Sequence, residues 1–190
     1  MNTIIAITGR RGSFKTCLMT ALGYIDASSG RKVYSNYHLT YDYIPITLKE
    51  VAELPKWLYN ATVLLDEIQV GADAREIFKP GNKGINTLAT QLRKRRITLY
   101  YTTQKWTYPD KRLREQVDFQ YHCEPIGNKY SATHASVYIY DRTLSLVDME
   151  REAKVKVFPG HKYWGMYDTE EVITYDGEEE YGEEDLTDNN

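Results

Sequence analysis

Residues 7–16 read ITGRRGSFKT, one substitution away from the phosphate-loop pattern G-x-x-x-x-G-K-[ST]. Gly9, Lys15 and Thr16 fall in register, and Phe14 stands where the pattern has its second glycine. The flanks supply the context such a loop needs. TIIAITG (3–9) is apolar, β-branched and closed by glycine, as a buried strand is. KTCLMTALGYIDA (15–27) has helical spacing and ends near Gly30. A strand, a tight glycine loop and a helix opening on Lys-Thr place backbone N–H groups and a helix N-terminus around one anion. Gly9, Arg10, Arg11, Gly12, Ser13, Phe14, Lys15 and Thr16 then line the loop. Lys15 would reach the β- and γ-phosphates of ATP, and the Thr16 hydroxyl would bind Mg²⁺. Glycine at position 14 would permit a special backbone angle or a close approach to phosphate. Phenylalanine is expected to keep an ordinary conformation with its ring turned away. The competing reading of this stretch alone is a plain strand-to-helix turn carrying a surface lysine.

A second signal follows about fifty residues on. VLLDEIQ (63–69) is an apolar run ending in Asp66 and Glu67. Asp66 at the strand end would hold Mg²⁺ through water, and Glu67 would orient and deprotonate an attacking water. In isolation an Asp-Glu pair is usually a solvated strand end. A third signal is ITLYYTTQ (97–104), closing on Gln104. In additional-strand ATPases a polar residue ends the strand inserted between the two Walker strands and senses the γ-phosphate and the attacking water.

Composition sets the frame. The chain has 190 residues, 42% hydrophobic and 27% charged, which suits one globular domain with a full core. No apolar run approaches the ~20 residues of a membrane helix, so a soluble protein is expected. Cys17 and Cys123 have no metal-ligand spacing and read as buried thiols. The net charge of −3 is unevenly spread. Residues 176–190 hold eight acidic groups and no basic one, which leaves 1–175 at +5. The expected organisation is an ATPase domain over 1–175 and an acidic, disordered tail over 176–190. Near-continuous apolar strands alternating with helices predict a three-layer α/β fold with a mainly parallel central sheet. FQYHCEPI, ASVYIYD and KVKVFPG make its C-terminal part β-rich.

ITGRRGSFKT, VYSNYHL, VLLDEIQ, QLRKRRITLYYTTQ and RLREQVDF, in that order, resemble the FtsK–HerA superfamily of P-loop ATPases, in its zonular occludens toxin-like and viral genome-packaging branch. YDTEEVI (167–173) resembles a closing segment of such proteins, so the likeness spans roughly 1–173. The resemblance implies an additional-strand core, a homo-oligomeric ring (pentamer or hexamer), and ATP hydrolysis that moves double-stranded DNA without marked sequence preference. The absence of a membrane span departs from the membrane-anchored filamentous-phage members. It favours a packaging motor in the host cytoplasm or on the virion, with a capsid or portal protein as a further partner.

LRKRR (92–96) puts Arg93 and Arg96 at a helix end. Cations suit a helix C-terminus on electrostatic grounds alone. The functional reading is an arginine finger acting on a neighbouring subunit's γ-phosphate, with Arg112 and Arg114 as rivals. Lys79 and Lys83 in FKPGNKGIN (78–86) could contact DNA phosphates or could simply be an exposed loop. The four histidines form no metal or nucleophile constellation. Two other functions are compatible with the motifs: a nucleotide kinase, which needs an arginine-rich lid, and a degenerate nucleotide-gated assembly or scaffold protein.

Overall fold

The computed structural model describes residues 2–68, 84–128 and 130–168. Lys79 and Lys83, most of YDTEEVI and the acidic stretch 176–190 lie outside the described residues.

One eight-stranded sheet organises the chain. Its strands are β1 (Ile4–Thr8), β2 (Lys32–Ser35), β3 (Ile44–Pro45), β4 (Ala61–Leu65), β5 (Thr98–Thr103), β6 (Phe119–Pro125), β7 (Ala135–Asp141) and β8 (Lys154–Phe158), in the spatial order β3-β2-β4-β5-β1-β6-β7-β8. The strands from β3 to β6 pair in parallel, while β7 and β8 turn back antiparallel. The central strands are buried from end to end: all five residues of β1, five of β4 and six of β5. They therefore need apolar or β-branched residues on both faces, which is why they read as continuous runs. β5 lies between β1 and β4, with Ala6 level with Tyr101 and Leu65 level with the same tyrosine on the other side.

Among the described residues the helices are α1 (Lys15–Ser28), α2 (Leu48–Glu53), α3 (Gly84–Lys94), α4 (Lys111–Arg114) and α5 (Leu146–Arg151). α1 covers one face, where Cys17, Leu18 and Met19 pack on Ile5, Ile7, Leu64 and Tyr100. α2 and α3 cover the other, where Val51, Leu88 and Leu92 meet Ile4, Val63 and Tyr101. Thr47 caps α2 with a reciprocal box: its hydroxyl accepts from Glu50 N–H, and the Glu50 carboxylate accepts from Thr47 N–H at 2.8 Å. α3 ends in a left-handed turn at Arg96 (φ 58°), with Ile97 N–H bonded to Leu92 O and Arg96 N–H to Arg93 O. This is a Schellman closure with arginine in the position glycine usually takes.

After β8 the chain makes a 3₁₀ turn (Gly160–Tyr163) and runs back along α1. This segment packs against the loop after β2, where Thr40 N–H bonds to Met166 O and Leu39 bridges Tyr167. Among the described residues no helix is long and apolar enough to cross a membrane.

Candidate active site

The C-terminal ends of β1, β4 and β5 share one edge of the sheet, and the three sequence signals meet there. The loop from Gly9 to Phe14 leaves β1 and returns as α1. A Cβ on Gly9 would come within 2.6 Å of the Cys123 carbonyl and overlap the Ser13 side chain, so only glycine fits. Gly12 has φ 77°. The first-turn N–H groups of Lys15, Thr16 and Cys17 have no helical acceptor, so the loop end and helix start form a concentrated set of donors.

Phe14 corrects a sequence expectation. It does not keep an ordinary conformation: at φ 68°, ψ 19° it is left-handed, the geometry the missing glycine would have adopted. Its ring packs on Gly160, where any Cβ would collide with it, and lies parallel to the Trp164 ring. Tertiary contacts hold the backbone angle that residue type disfavours.

Lys15 is buried, and its ammonium donates to Arg10 O at 3.1 Å, which folds the side chain back over the loop. Burial pushes its pKa below the usual lysine value, and the carboxylates of Asp66 and Glu67 act in the opposite sense. Asp66 is the junction of the site. One of its carboxylate oxygens accepts from Thr16 Oγ1 at 3.0 Å and the other from Thr102 Oγ1. Its backbone is fixed by Asn36, whose side chain accepts from Asp66 N–H at 2.7 Å and donates to Asp66 O at 3.2 Å. Burial raises the Asp66 carboxyl pKa above its ordinary value, and the bonds from Thr102 and Thr16 oppose that rise. Glu67 is left-handed (φ 47°), and its N–H donates to Thr102 Oγ1 at 2.9 Å. A glutamate held in that region stores strain of the kind found at functional positions.

Gln104 follows the end of β5 and lines a cleft of about 500 Å³ with Thr8, Arg10, Ser13, Gln120 and His122. Within the cleft Thr8 Oγ1 bonds to His122 Nδ1 at 3.0 Å and accepts from Gln120 Nε2 at 3.1 Å. Ser13 Oγ is buried and has no partner among the described residues. Asn36, Thr102, Thr8, Gln120 and His122 were not singled out by sequence. Asn36 lay in plain view within VYSNYHL and Thr102 within ITLYYTTQ. A lone polar residue at a strand end carries no signal until its neighbour is known.

The candidate finger arginines sit elsewhere. Arg93 donates to Gln116 O at 2.9 Å and pairs with Asp118 at 3.0 Å, and Asp118 in turn accepts from Ile4 N–H at 2.8 Å. That ties α3 to the starts of β1 and β6, at the sheet edge opposite the phosphate loop. Arg96 is exposed at the same far edge. Arg112 pairs with Asp110 at 2.9 Å, and Arg114 donates to Pro109 O at 3.1 Å. Both cysteines are buried free thiols, and burial pushes Cys17 up to about 11 and Cys123 up to about 12.

No family model matches the chain, and no curated protein matches it by sequence. Solved structures do match. The N-terminal domain of zonular occludens toxin from Neisseria meningitidis superposes with a TM-score of 0.63 at 22% identity, over 88% of this chain and all of that one. B204, the DNA-packaging ATPase of Sulfolobus Turreted Icosahedral Virus, superposes at 0.51 with 16% identity, over 83% of this chain and 98% of that one. The genome packaging NTPase B204 of Sulfolobus turreted icosahedral virus 2, in complex with ATP-gammaS, superposes at 0.51 with 11% identity over 82% and 96%. At these identities the likeness concerns the fold: this chain has the three-layer P-loop NTPase architecture, with a strand inserted between the two motif-bearing strands.

Proposed function

We propose that the chain hydrolyses ATP and uses it to drive double-stranded DNA, in virus genome packaging, as a homo-oligomeric ring that docks on a capsid or portal protein. The observation that carries the reading is the junction at Asp66. A hydroxyl from the phosphate loop and a hydroxyl from the inserted strand converge on one buried carboxylate, beside a strained Glu67. The resemblance of the motifs to the packaging branch, and the shared fold with a DNA-packaging ATPase, supply the DNA part of the reading.

The residues divide the work. Loop N–H groups and the Lys15 ammonium hold the phosphates. Mg²⁺ fits the donor set, because it takes oxygen ligands and needs only one or two carboxylates besides substrate phosphates. Among the described residues no three His, Cys, Asp or Glu side chains cluster as a richer metal centre would require. Thr16 and Asp66 would hold the ion, which when bound neutralises charge on the phosphates. Glu67 accepts a proton from the water that attacks the γ-phosphorus, as the bond to the β–γ bridging oxygen breaks and ADP leaves. Gln104 orients that water. A neighbouring subunit supplies an arginine to the spreading phosphoryl charge. Arg96, exposed, suits that task better than Arg93, whose guanidinium is engaged within its own chain.

The test is phosphate release from ATP with and without double-stranded DNA. DNA should raise turnover, Lys15→Ala should lose nucleotide binding, and Glu67→Gln should bind ATP without hydrolysing it. Hydrolysis that survives Glu67→Gln removes the base role. Phosphate transfer to a nucleotide would identify a kinase, and binding without turnover in the wild type an assembly protein.

A further inference from the structure

A phosphate loop fixes only one end of a nucleotide. Thr16, Asp66 and Thr102 lie on the β4–β5 side of the loop, so that side receives the γ-phosphate in the reading above. The nucleoside end must then point the other way, toward β6–β8. There the loop is bordered by the returning C-terminal segment. Cys17 donates its thiol proton to Gly160 O at 3.4 Å, which sets the 3₁₀ turn against the first turn of α1. Phe14, adjacent to the phosphate-binding Lys15, turns its ring onto this turn. Trp164 presents a ring within 12° of parallel to it, with centroids 6.5 Å apart.

Trp164 is 52% exposed. Trp57 is as exposed, at 53%, and stacks on Tyr34; what sets Trp164 apart is its place beside the phosphate loop. A planar aromatic surface attracts other planar π-systems whatever their hydrogen-bonding edge, and its contact grows with the area of the stacked ring.

Resting on the phosphate-loop reading, we propose that Phe14 and Trp164 form the nucleobase subsite: Trp164 supplies the face on which the base stacks, and Phe14 holds that face beside the loop. Because stacking reads area rather than base edges, the site takes purine nucleoside triphosphates in preference to pyrimidine ones and separates adenine from guanine weakly. It also gives the departure from the loop pattern a use. The residue that replaces glycine keeps glycine's backbone angle and adds the wall on which the base platform rests.

The experiment compares binding of magnesium ATP and magnesium tripolyphosphate to the full chain by calorimetry, for the wild type, Trp164→Ala and Trp164→Phe. A base stacked on one aromatic ring is worth roughly 5- to 150-fold in affinity, so the wild type should prefer ATP over tripolyphosphate by that factor. Trp164→Ala should bring the ratio of the two affinities close to one, and Trp164→Phe should restore most of it. In a chain with Trp57→Phe and Trp106→Phe, emission from Trp164 should be quenched by ATP and left unchanged by tripolyphosphate. An unaltered ratio in Trp164→Ala, or Trp164 emission unmoved at saturating ATP, overturns the subsite while leaving the phosphate loop standing. Trp106 also lines the Thr8–Gln120–His122 cleft, so loss of the ATP preference in Trp106→Ala instead would put the base there and overturn the subsite equally. A wild type that binds neither compound overturns the phosphate-loop reading and the subsite together.

Discussion

Replacing Phe14 by glycine and by alanine separates two opposed energies. At φ 68° and ψ 19° a residue with a Cβ carries about 1–2 kcal/mol of left-handed strain. The ring offsets this: full burial of such a side chain is worth 1.5–3 kcal/mol, and Phe14 is half-buried against Gly160 and Trp164, so its share is roughly 1 kcal/mol. Phe14→Ala loses the ring and keeps the strain, and should unfold about 1 kcal/mol more easily than the wild type. Phe14→Gly loses the ring and sheds the strain, against a backbone entropy cost of roughly 0.5–1 kcal/mol. Its net change should lie between a loss of about 1 kcal/mol and a gain of about 0.5 kcal/mol. Glycine should therefore beat alanine, by somewhat under 1 kcal/mol. In an ordinary helical position the order is the reverse, with glycine about 1 kcal/mol worse. Urea unfolding read by circular dichroism gives both midpoints at equal slope. An alanine variant as stable as the glycine one, or more so, would refute the claim that position 14 is left-handed under strain.

Asp66→Asn should stabilise the nucleotide-free chain at neutral pH and stop hydrolysis. Burial raises the carboxyl pKa in the fold, so the stability it contributes below the ordinary carboxylate range is lost as pH rises through the elevated value. Melting temperature against pH should fall across that interval in the wild type and stay flatter in the variant. Arg96→Gly should raise stability by up to about 1 kcal/mol by relieving the left-handed closure of α3, whereas Arg93→Ala should lower it by about 1 kcal/mol by cutting the tie to Asp118, an exposed-side ion pair discounted for solvent. Turnover in Arg96→Gly that falls by less than tenfold would exclude Arg96 as the finger, since known fingers are worth about 10³–10⁵. Mixing inactive Glu67→Gln with inactive Arg96→Ala chains should recover activity if the arginine acts between subunits, because a mixed ring can pair an intact glutamate with an intact arginine. Full turnover by a strictly monomeric sample would rule that out.

The central sheet was legible because its strands are buried on both sides and leave unbroken apolar runs. β3 was not, because two exposed residues, Ile44 and Pro45, carry no pattern of burial. α5 was missed for the same reason, since only Met149 of its six residues is buried, although Ser145 caps it by accepting from Asp148 N–H. Asp66 and Glu67 stood out as charges closing an apolar run. Thr102 and Asn36 did not, since threonine is an ordinary strand residue and the asparagine's partner lies thirty positions away. Phe14 misled because its backbone angle is chosen by a contact with Gly160, far along the chain. Arg96 misled differently: a basic residue at a helix end reads as charge complementing the dipole, and its left-handed turn has no sequence mark other than a missing glycine.

The place of β1 in the sheet has a consequence for how the protein is made. It precedes both of its flanking neighbours, β5 and β6, in the chain, and their first paired residues are Leu99 and Phe119. At ordinary synthesis rates of about 5–20 residues per second, its isoleucines wait roughly 5–20 s for either neighbour. During that interval the nascent chain carries an unpaired apolar ribbon, a hazard for self-association that a holding chaperone would relieve. Codon choices or temperatures that lengthen the wait should lower the yield of soluble protein without altering the stability of the molecules that do fold.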